Sequence, residues 1–198
     1  LERAREWAAE AVSLGTELGY LKTTWNTLAR LTQAHILATQ GKSQQAHILA
    51  QEALQFHKIP IFRPYTVGGL SEIYLRSGEP ERGLEVIAEG LDMVARTGEC
   101  WWEAELHRLK GELMRASGAE ISKVEDSLRF ALEIAGRQEA KSLELRAATS
   151  LARLWAEQGE RAQASDLLAP VCGWFTEGFD TADLKDSKAL LDGLRCAR

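Results

Sequence analysis

The sequence predicts an all-α protein, a right-handed solenoid of antiparallel helix pairs, and three observations carry that prediction. The first is a pattern that recurs four times: Ala34, Leu37, Gly41, Ala46, Ala53; then Ser71, Tyr74, Gly78, Gly83, Gly90; then Gly111, Met114, Gly118, Val124, Ala131; then Ala152, Trp155, Gly159, Ala164, Val171. Each set runs small, bulky, glycine and then two small or apolar residues, and the third has one extra residue after its glycine. The steps between first members are 37 (34 to 71), 40 (71 to 111) and 41 (111 to 152), a period that marks a stacked helical array. The second is composition: only 4 of 198 residues are proline, and the stretches between glycines are rich in Ala, Leu, Glu, Arg and Gln, all good helix formers. The third is that no window alternates apolar and polar residues with β-branched enrichment, as a strand would.

The elements follow in order. Leu1 to about Leu18 reads as an amphipathic helix with Leu1, Ala4, Ala8, Ala11 and Val12 on one stripe, an N-terminal half-unit over residues 1–19. The chain opens inside this pattern, so a piece of a longer polypeptide is expected. The first full unit, 21–59, pairs a helix from about Leu21 to Gln40 with one from about Ser43 to His57. Pro60 and Pro64 punctuate the next connection, and Pro64 suits a first helical turn. Unit 61–98 then pairs a helix ending at Ser77 with one over Pro80 to Thr97. Unit 100–138 pairs Trp101–Ser117 with Ile121–Gln138, and unit 140–178 pairs Lys141–Gln158 with Arg161–Gly178. Pro170 should kink or end the last of these. Asp180 reads as the N-cap of a capping helix over 181–196.

The repeated residue types have a physical cause. Gly41, Gly78, Gly118 and Gly159 can adopt the left-handed conformation that stops a helix and reverses the chain. Ala34, Ser71, Gly111 and Ala152 let paired helices approach closely, with Ala46, Gly83 and Ala164 meeting them from the second helix. Leu37, Tyr74, Met114 and Trp155 fill the groove beside them. This is the logic of a tetratricopeptide-like solenoid, and the 198 residues form one such domain of about four full repeats plus terminal helices.

Composition excludes several functions. The net charge is −5, against a dedicated nucleic-acid binder, because phosphate neutralisation needs a basic face. Three cysteines, Cys100, Cys172 and Cys196, are neither a disulfide framework nor a metal-ligand spacing, so a reducing cytoplasm is the expected compartment. Glu2, Arg3, Arg5, Glu6 and Glu10 interrupt the first residues, so no signal peptide is expected in them, and no apolar run approaches a membrane span.

Catalytic motifs are missing too. GKS at Gly41 to Ser43 lacks the first glycine of a phosphate-binding loop and follows a helix, so it reads as a helix stop. His35, His47, His57 and His107 form no metal-binding pattern and are expected at surface or half-buried positions. No serine sits in a nucleophile elbow. Of the 6 tryptophans, Trp101 and Trp102 point about 100° apart on a helix, so one packs and the other rests near the surface. Trp155, Trp174 and Phe175 lie on apolar stripes and are expected in the core. No cofactor and no metal are expected.

Three segments carry a family resemblance: Trp101 to Met114 (WWEAELHRLKGELM), Phe130 to Gly159, and Leu167 to Leu194 with Trp174, Phe175, Glu177, Gly178, Phe179 and Asp180 at its centre. They resemble the C-terminal tetratricopeptide-repeat region of bacterial signalling proteins that join a class III adenylate/guanylate cyclase domain and an ATPase domain to such repeats. The likeness is close over the second half of the chain and looser over the first. Cys172 and Gly173 depart from it, standing where the family has an aromatic and then a variable residue. The resemblance implies a sensory or docking region whose catalytic domains lie elsewhere in the polypeptide.

The partner groove is expected on the first helices of successive units. Counting from the small residue of each repeat, its candidate residues are His35, Tyr65, Glu72, Glu105, Arg108, Glu112, Arg115, Arg146 and Arg153. Arg108 with Arg115, and Arg146 with Arg153, are seven residues apart on adjacent helices and could clamp a carboxylate or phosphate. The competing expectation is that Glu105, Glu112 and Glu144 neutralise them as ordinary surface pairs. The function that follows is a non-catalytic, regulatory interaction module binding a protein or peptide, with dimerisation possible and no nucleic acid or membrane as partner. The alternative is a small-effector sensor controlling an attached ATPase or cyclase, which requires Tyr65 and Trp101 to project into an enclosed pocket.

Overall fold

The computed structural model describes residues 2–19, 24–55 and 62–196, and among them all regular structure is helical. Ten helices within these residues run in consecutive antiparallel pairs: α1 Glu2–Glu17, α2 Thr24–Thr39, α3 Ser43–Gln55, α4 Arg63–Arg76, α5 Pro80–Thr97, α6 Glu103–Ala116, α7 Ile121–Arg137, α8 Lys141–Glu157, α9 Arg161–Gly173 and α10 Ala182–Cys196. Most bounds fall within two or three residues of those the glycine and proline pattern predicts. The predicted helix start at Leu21, its neighbour's end at His57, Pro60 and residue Leu1 lie outside the described residues.

The helices gather into two compact units, Leu1–Glu99 and Cys100–Arg198. In the first, α2 pairs with α3 and α4 with α5, while α1 lies on α2 and α4 touches both α2 and α3. Its core is built on Leu31, Ala34, Ala46, Ala50, Ile73 and Tyr74. In the second, α6 pairs with α7 and α8 with α9; α8 also contacts α6 and α7, and α10 closes onto α8 and α9. Val124, Leu128, Leu151, Trp155, Leu168 and Leu191 share its main core.

The small repeat residues do what their size suggests. Ala34, Ser71 and Ala152 are fully buried, and Ser71 satisfies its hydroxyl by donating to the Val67 carbonyl one turn back. At Gly111 the approach is closest, since a Cβ there would stand 2.7 Å from Leu128 Cδ2 on α7.

The turn glycines all take positive φ, 75° at Gly41, 74° at Gly78, 75° at Gly118 and 88° at Gly159. Each closes a Schellman motif whose outer bond ends on the bulky repeat residue: the amides of Lys42, Glu79, Ala119 and Glu160 donate to the carbonyls of Leu37, Tyr74, Met114 and Trp155. In three of these turns the same residue then opens the next helix, because Lys42, Glu79 and Glu160 accept from Ala46, Gly83 and Ala164. The third repeat differs: Ala119 ends α6 and Glu120 begins α7 by accepting from Val124. That is the extra residue seen in the sequence. The turn between α7 and α8 has the same geometry, but its left-handed position is Glu139, at φ 54°.

Three expectations are corrected at the C-terminal end. α9 runs through Pro170 and stops at Gly173, short of Gly178; proline removes one hydrogen bond near the helix end, and the remaining turn carries on. Trp174, the C-cap of α9 with helical dihedrals (φ −69°, ψ −30°), is nevertheless 58% exposed, while Trp155 is buried as expected. Phe175 is half-buried. The N-cap position of α10 belongs to Thr181 and not Asp180, since the Thr181 carbonyl accepts the first helical bond, from Lys185.

Candidate partner-binding face

In the second unit, α6, α8 and α10 lie side by side and present one row of charges. Helical spacing puts Glu105, Arg108, Glu112 and Arg115 on one stripe of α6, and Arg146, Thr149 and Arg153 on the facing stripe of α8. Glu105 is only 2% exposed. Arg108 grips its carboxylate as a fork, Nε to Oε2 at 2.9 Å and Nη2 to Oε1 at 2.7 Å. Arg146 reaches the same Oε1 from α8 at 3.0 Å, so two guanidinium groups share one buried carboxylate. Arg108 also extends toward the Ser150 hydroxyl, 3.4 Å away.

Further along, Arg115 binds Glu112 on its own helix at 3.1 Å and Glu157 of α8 at 3.2 Å. Two aspartates on α10 complete the row, with Arg146 Nε 3.8 Å from Asp183 and Arg153 2.8 Å from Asp186. Between them the Thr149 and Ser187 hydroxyls meet at 2.7 Å in a buried contact.

The structure therefore brings Glu105, Arg108 and Arg146 together as one triad, sets Glu112 beside Arg115, and joins Arg153 to α10. The four arginines do not stand as bare clamps. Their partners are of two kinds: Glu105 and Glu112 are buried, Glu157, Asp183 and Asp186 are exposed, and Glu144 pairs instead with Lys141 at 2.7 Å. Asp183 and Asp186 are functional candidates that the repeat count alone does not pick out. A signal for them exists, because α10 continues the series of first helices and places acids one turn apart opposite the α8 arginines.

In the first unit, His35 on α2 and Glu72 on α4 lie 3.9 Å apart, and Glu72 also holds Arg76 at 2.9 Å. Tyr65 is on α4, two turns before Glu72, and is 38% exposed. His47, expected at a surface or half-buried position, is buried. Its Nδ1 is 3.1 Å from a Glu79 carboxylate oxygen and its ring centroid is 4.6 Å from that of Tyr74. Burial is the main force lowering its pKa, opposed by Glu79 and aided by Arg82. His57 lies outside the described residues. Half-buried His107, packed edge-on against Phe130, is pushed down to about 4 by burial and then by Lys110.

Among the described residues no group of three or more His, Cys, Asp or Glu side chains is arranged to hold a metal ion. No described helix is long and apolar enough to cross a membrane. Cys100 and Cys172 are free thiols.

No protein-family model matches the chain. A stretch of 78 residues, 39% of this chain, is 37% identical to Uncharacterized protein R02095 of Rhizobium meliloti (strain 1021), and covers 8% of that protein's length. Solved structures resemble it in shape. BtubC (BKLC) from P. vanneervenii superposes with a TM-score of 0.71 over 98% of this chain and 89% of its own, at 16% identity. A putative kinesin light chain with TPR-like repeats from Podosopora anserina, and a point variant of it, give TM-scores of 0.62 and 0.63 over 85% of this chain, covering 85% and 84% of their own lengths, each at 16% identity. At that identity the likeness speaks to architecture alone, and it agrees with the turns and helix pairs described above. The chain is a tetratricopeptide-like helical-repeat solenoid.

Proposed function

We propose that this chain is a non-catalytic interaction module that docks a protein or peptide on the charged face of α6, α8 and α10. One observation carries the reading: Arg115 and Arg153 keep 40% and 34% of their side chains exposed while paired to the exposed carboxylates Glu157 and Asp186. Exposed pairs of this kind contribute little to stability, so an acidic partner segment can exchange for the internal carboxylates at small cost. The buried triad beneath holds the face in shape. His35, Tyr65 and Glu72 supply the matching residues of the first unit. The family resemblance extends the proposal to regulation: the module would couple a partner's arrival to a cyclase or ATPase domain of the same polypeptide, in a reducing cytoplasm that suits its free thiols. The small-effector alternative draws less support, since Tyr65 and Trp101 are 38% and 41% exposed.

The test is capture of partners from a bacterial lysate by the parent chain and by an Arg153→Glu variant. Arg108, Arg115 and Arg146 are left intact, because reversing them would strand the buried Glu105 or Glu112. A partner held by the parent and lost by a variant with unchanged circular dichroism supports this face. A partner held equally by both places docking elsewhere.

A further inference from the structure

A second site lies away from the charged face, where α7, the start of α8 and the end of α9 enclose a cleft of about 400 Å³. That volume falls in the range of sites that hold a side chain or small ligand. Half-buried Leu132, Leu167 and Val171 form its apolar lining, with Pro170 beside them. Trp174 forms one wall. It is the C-cap residue of α9, and its ring is braced edge-on by Phe175 with centroids 5.1 Å apart. The Trp174–Asp180 motif thus begins with an exposed indole that the α6–α8–α10 face does not use.

The polar groups of the cleft select the charge of a ligand. Lys141 and Glu144 neutralise each other at 2.7 Å. Asp166 remains, an exposed carboxylate that no salt bridge reaches among the described residues. The indole face adds to this bias, and Lys141 Nζ already hovers 5.7 Å from its centroid. The Asp166 carboxylate and the π face favour a cation; an apolar lining favours a neighbouring hydrophobic side chain. Phosphate-bearing ligands meet repulsion from Asp166.

The geometry points to a docking site for a basic-apolar peptide segment of a partner protein, with an arginine or lysine between Asp166 and Trp174 and an adjacent apolar side chain on Leu132, Leu167 and Val171. This site is independent of the face proposed above, and the two can fail separately.

Random heptapeptides displayed on phage and selected against the 198-residue chain test the assignment, followed by anisotropy titration of the selected synthetic peptide. Selected peptides should place Arg or Lys beside Leu, Phe or Trp. Trp174→Ala and Asp166→Asn should each weaken binding about tenfold, and Arg153→Glu should leave it unchanged. Both varied side chains are exposed, and Asp166→Asn keeps shape and volume, so a loss of fold in one variant leaves the other to decide. Failure to select any basic-apolar peptide, or binding of such a peptide that is indifferent to both variants, overturns the assignment. So does self-association of the parent, seen by sedimentation and abolished by Trp174→Ala, which would give the cleft to a second copy of the chain.

Discussion

Arg146 on α8 reaches 3.0 Å across to Glu105 on α6, a carboxylate that Arg108 already holds from its own helix. Glu105 is thus the joint between two repeats as much as a member of a binding face. Removing it would leave two guanidinium groups, 11% and 24% exposed, facing each other with no anion between them. Breaking such a buried arrangement from one side costs about 3 kcal/mol, far more than the loss of a surface pair. Glu105→Ala should lower the urea midpoint of the chain accordingly, and Arg153→Glu, which breaks only an exposed pair, should change it little. A Glu105→Ala chain as stable as the parent would mean that water reaches the triad freely.

Two glycines on neighbouring helices predict opposite signs for the same substitution. At Gly111 a methyl group would stand 2.7 Å from Leu128 Cδ2 and 2.8 Å from its Cγ, and Leu128 is itself buried at 1% exposure. Overpacking of this kind costs about 1–3 kcal/mol, against a gain of about 1 kcal/mol in helix propensity. Gly111→Ala should therefore destabilise. Gly136, on the exposed side of α7, has nothing within 4 Å of its added Cβ, so Gly136→Ala should stabilise by about 0.5–1 kcal/mol. Thermal melts of the two variants compared with the parent decide both.

Glu139 is the described non-glycine residue at positive φ, in the α7–α8 turn where the other Schellman turns place glycine. The Ala140 and Glu139 amides still close the motif on Ala135 and Gly136, so the strain is held by the turn. A left-handed conformation costs a β-carbon-bearing residue about 1 kcal/mol. Glu139→Gly should raise stability by roughly that amount, less the extra freedom glycine gives the unfolded chain. A fall in melting temperature would show that the Glu139 side chain contributes more than its backbone costs.

What can be read from the sequence follows from how local each feature is. Gly78 and Tyr74 announce a turn within five residues, so the helix stops are visible, as is the extra residue between Gly118 and Val124. Small residues such as Ala34 and Ala152 have to be buried for paired helices to approach. Charge pairing across helices is not legible in the same way. Arg153 can be assigned a face, but its partner Asp186 depends on how α10 stacks on α8, and Glu144, which looks equally suitable, turns to Lys141. Trp174 departs from its expected place for a related reason. Trp174 keeps helical dihedrals, so its register is as the stripe assigns it; what the stripe does not tell is that, among the described residues, no neighbouring element covers the end of α9 enough to bury the indole.

The sharpest pH dependence should come from His107. Burial, and then the nearby Lys110, push its pKa from 6.5 down to about 4, so the folded chain keeps the imidazole neutral across that interval. The unfolded chain protonates at its ordinary value. Above about pH 6.5 both states are neutral and the full contribution of the neutral, Phe130-packed ring is present. As pH falls from there toward 4 the unfolded state binds a proton that the folded state refuses, and stability declines through that window. Lys123 and Asp126 border the same cavity with opposite charges. His107→Gln keeps a polar side chain without the titration. Its urea midpoint, plotted against pH beside the parent's, should run parallel above about pH 7 and fall less steeply below it. Carboxylates titrating in both chains cancel in the difference, which leaves the histidine as its source. Curves that stay parallel down to about pH 4 would show that His107 charges as easily in the folded chain as in the unfolded one.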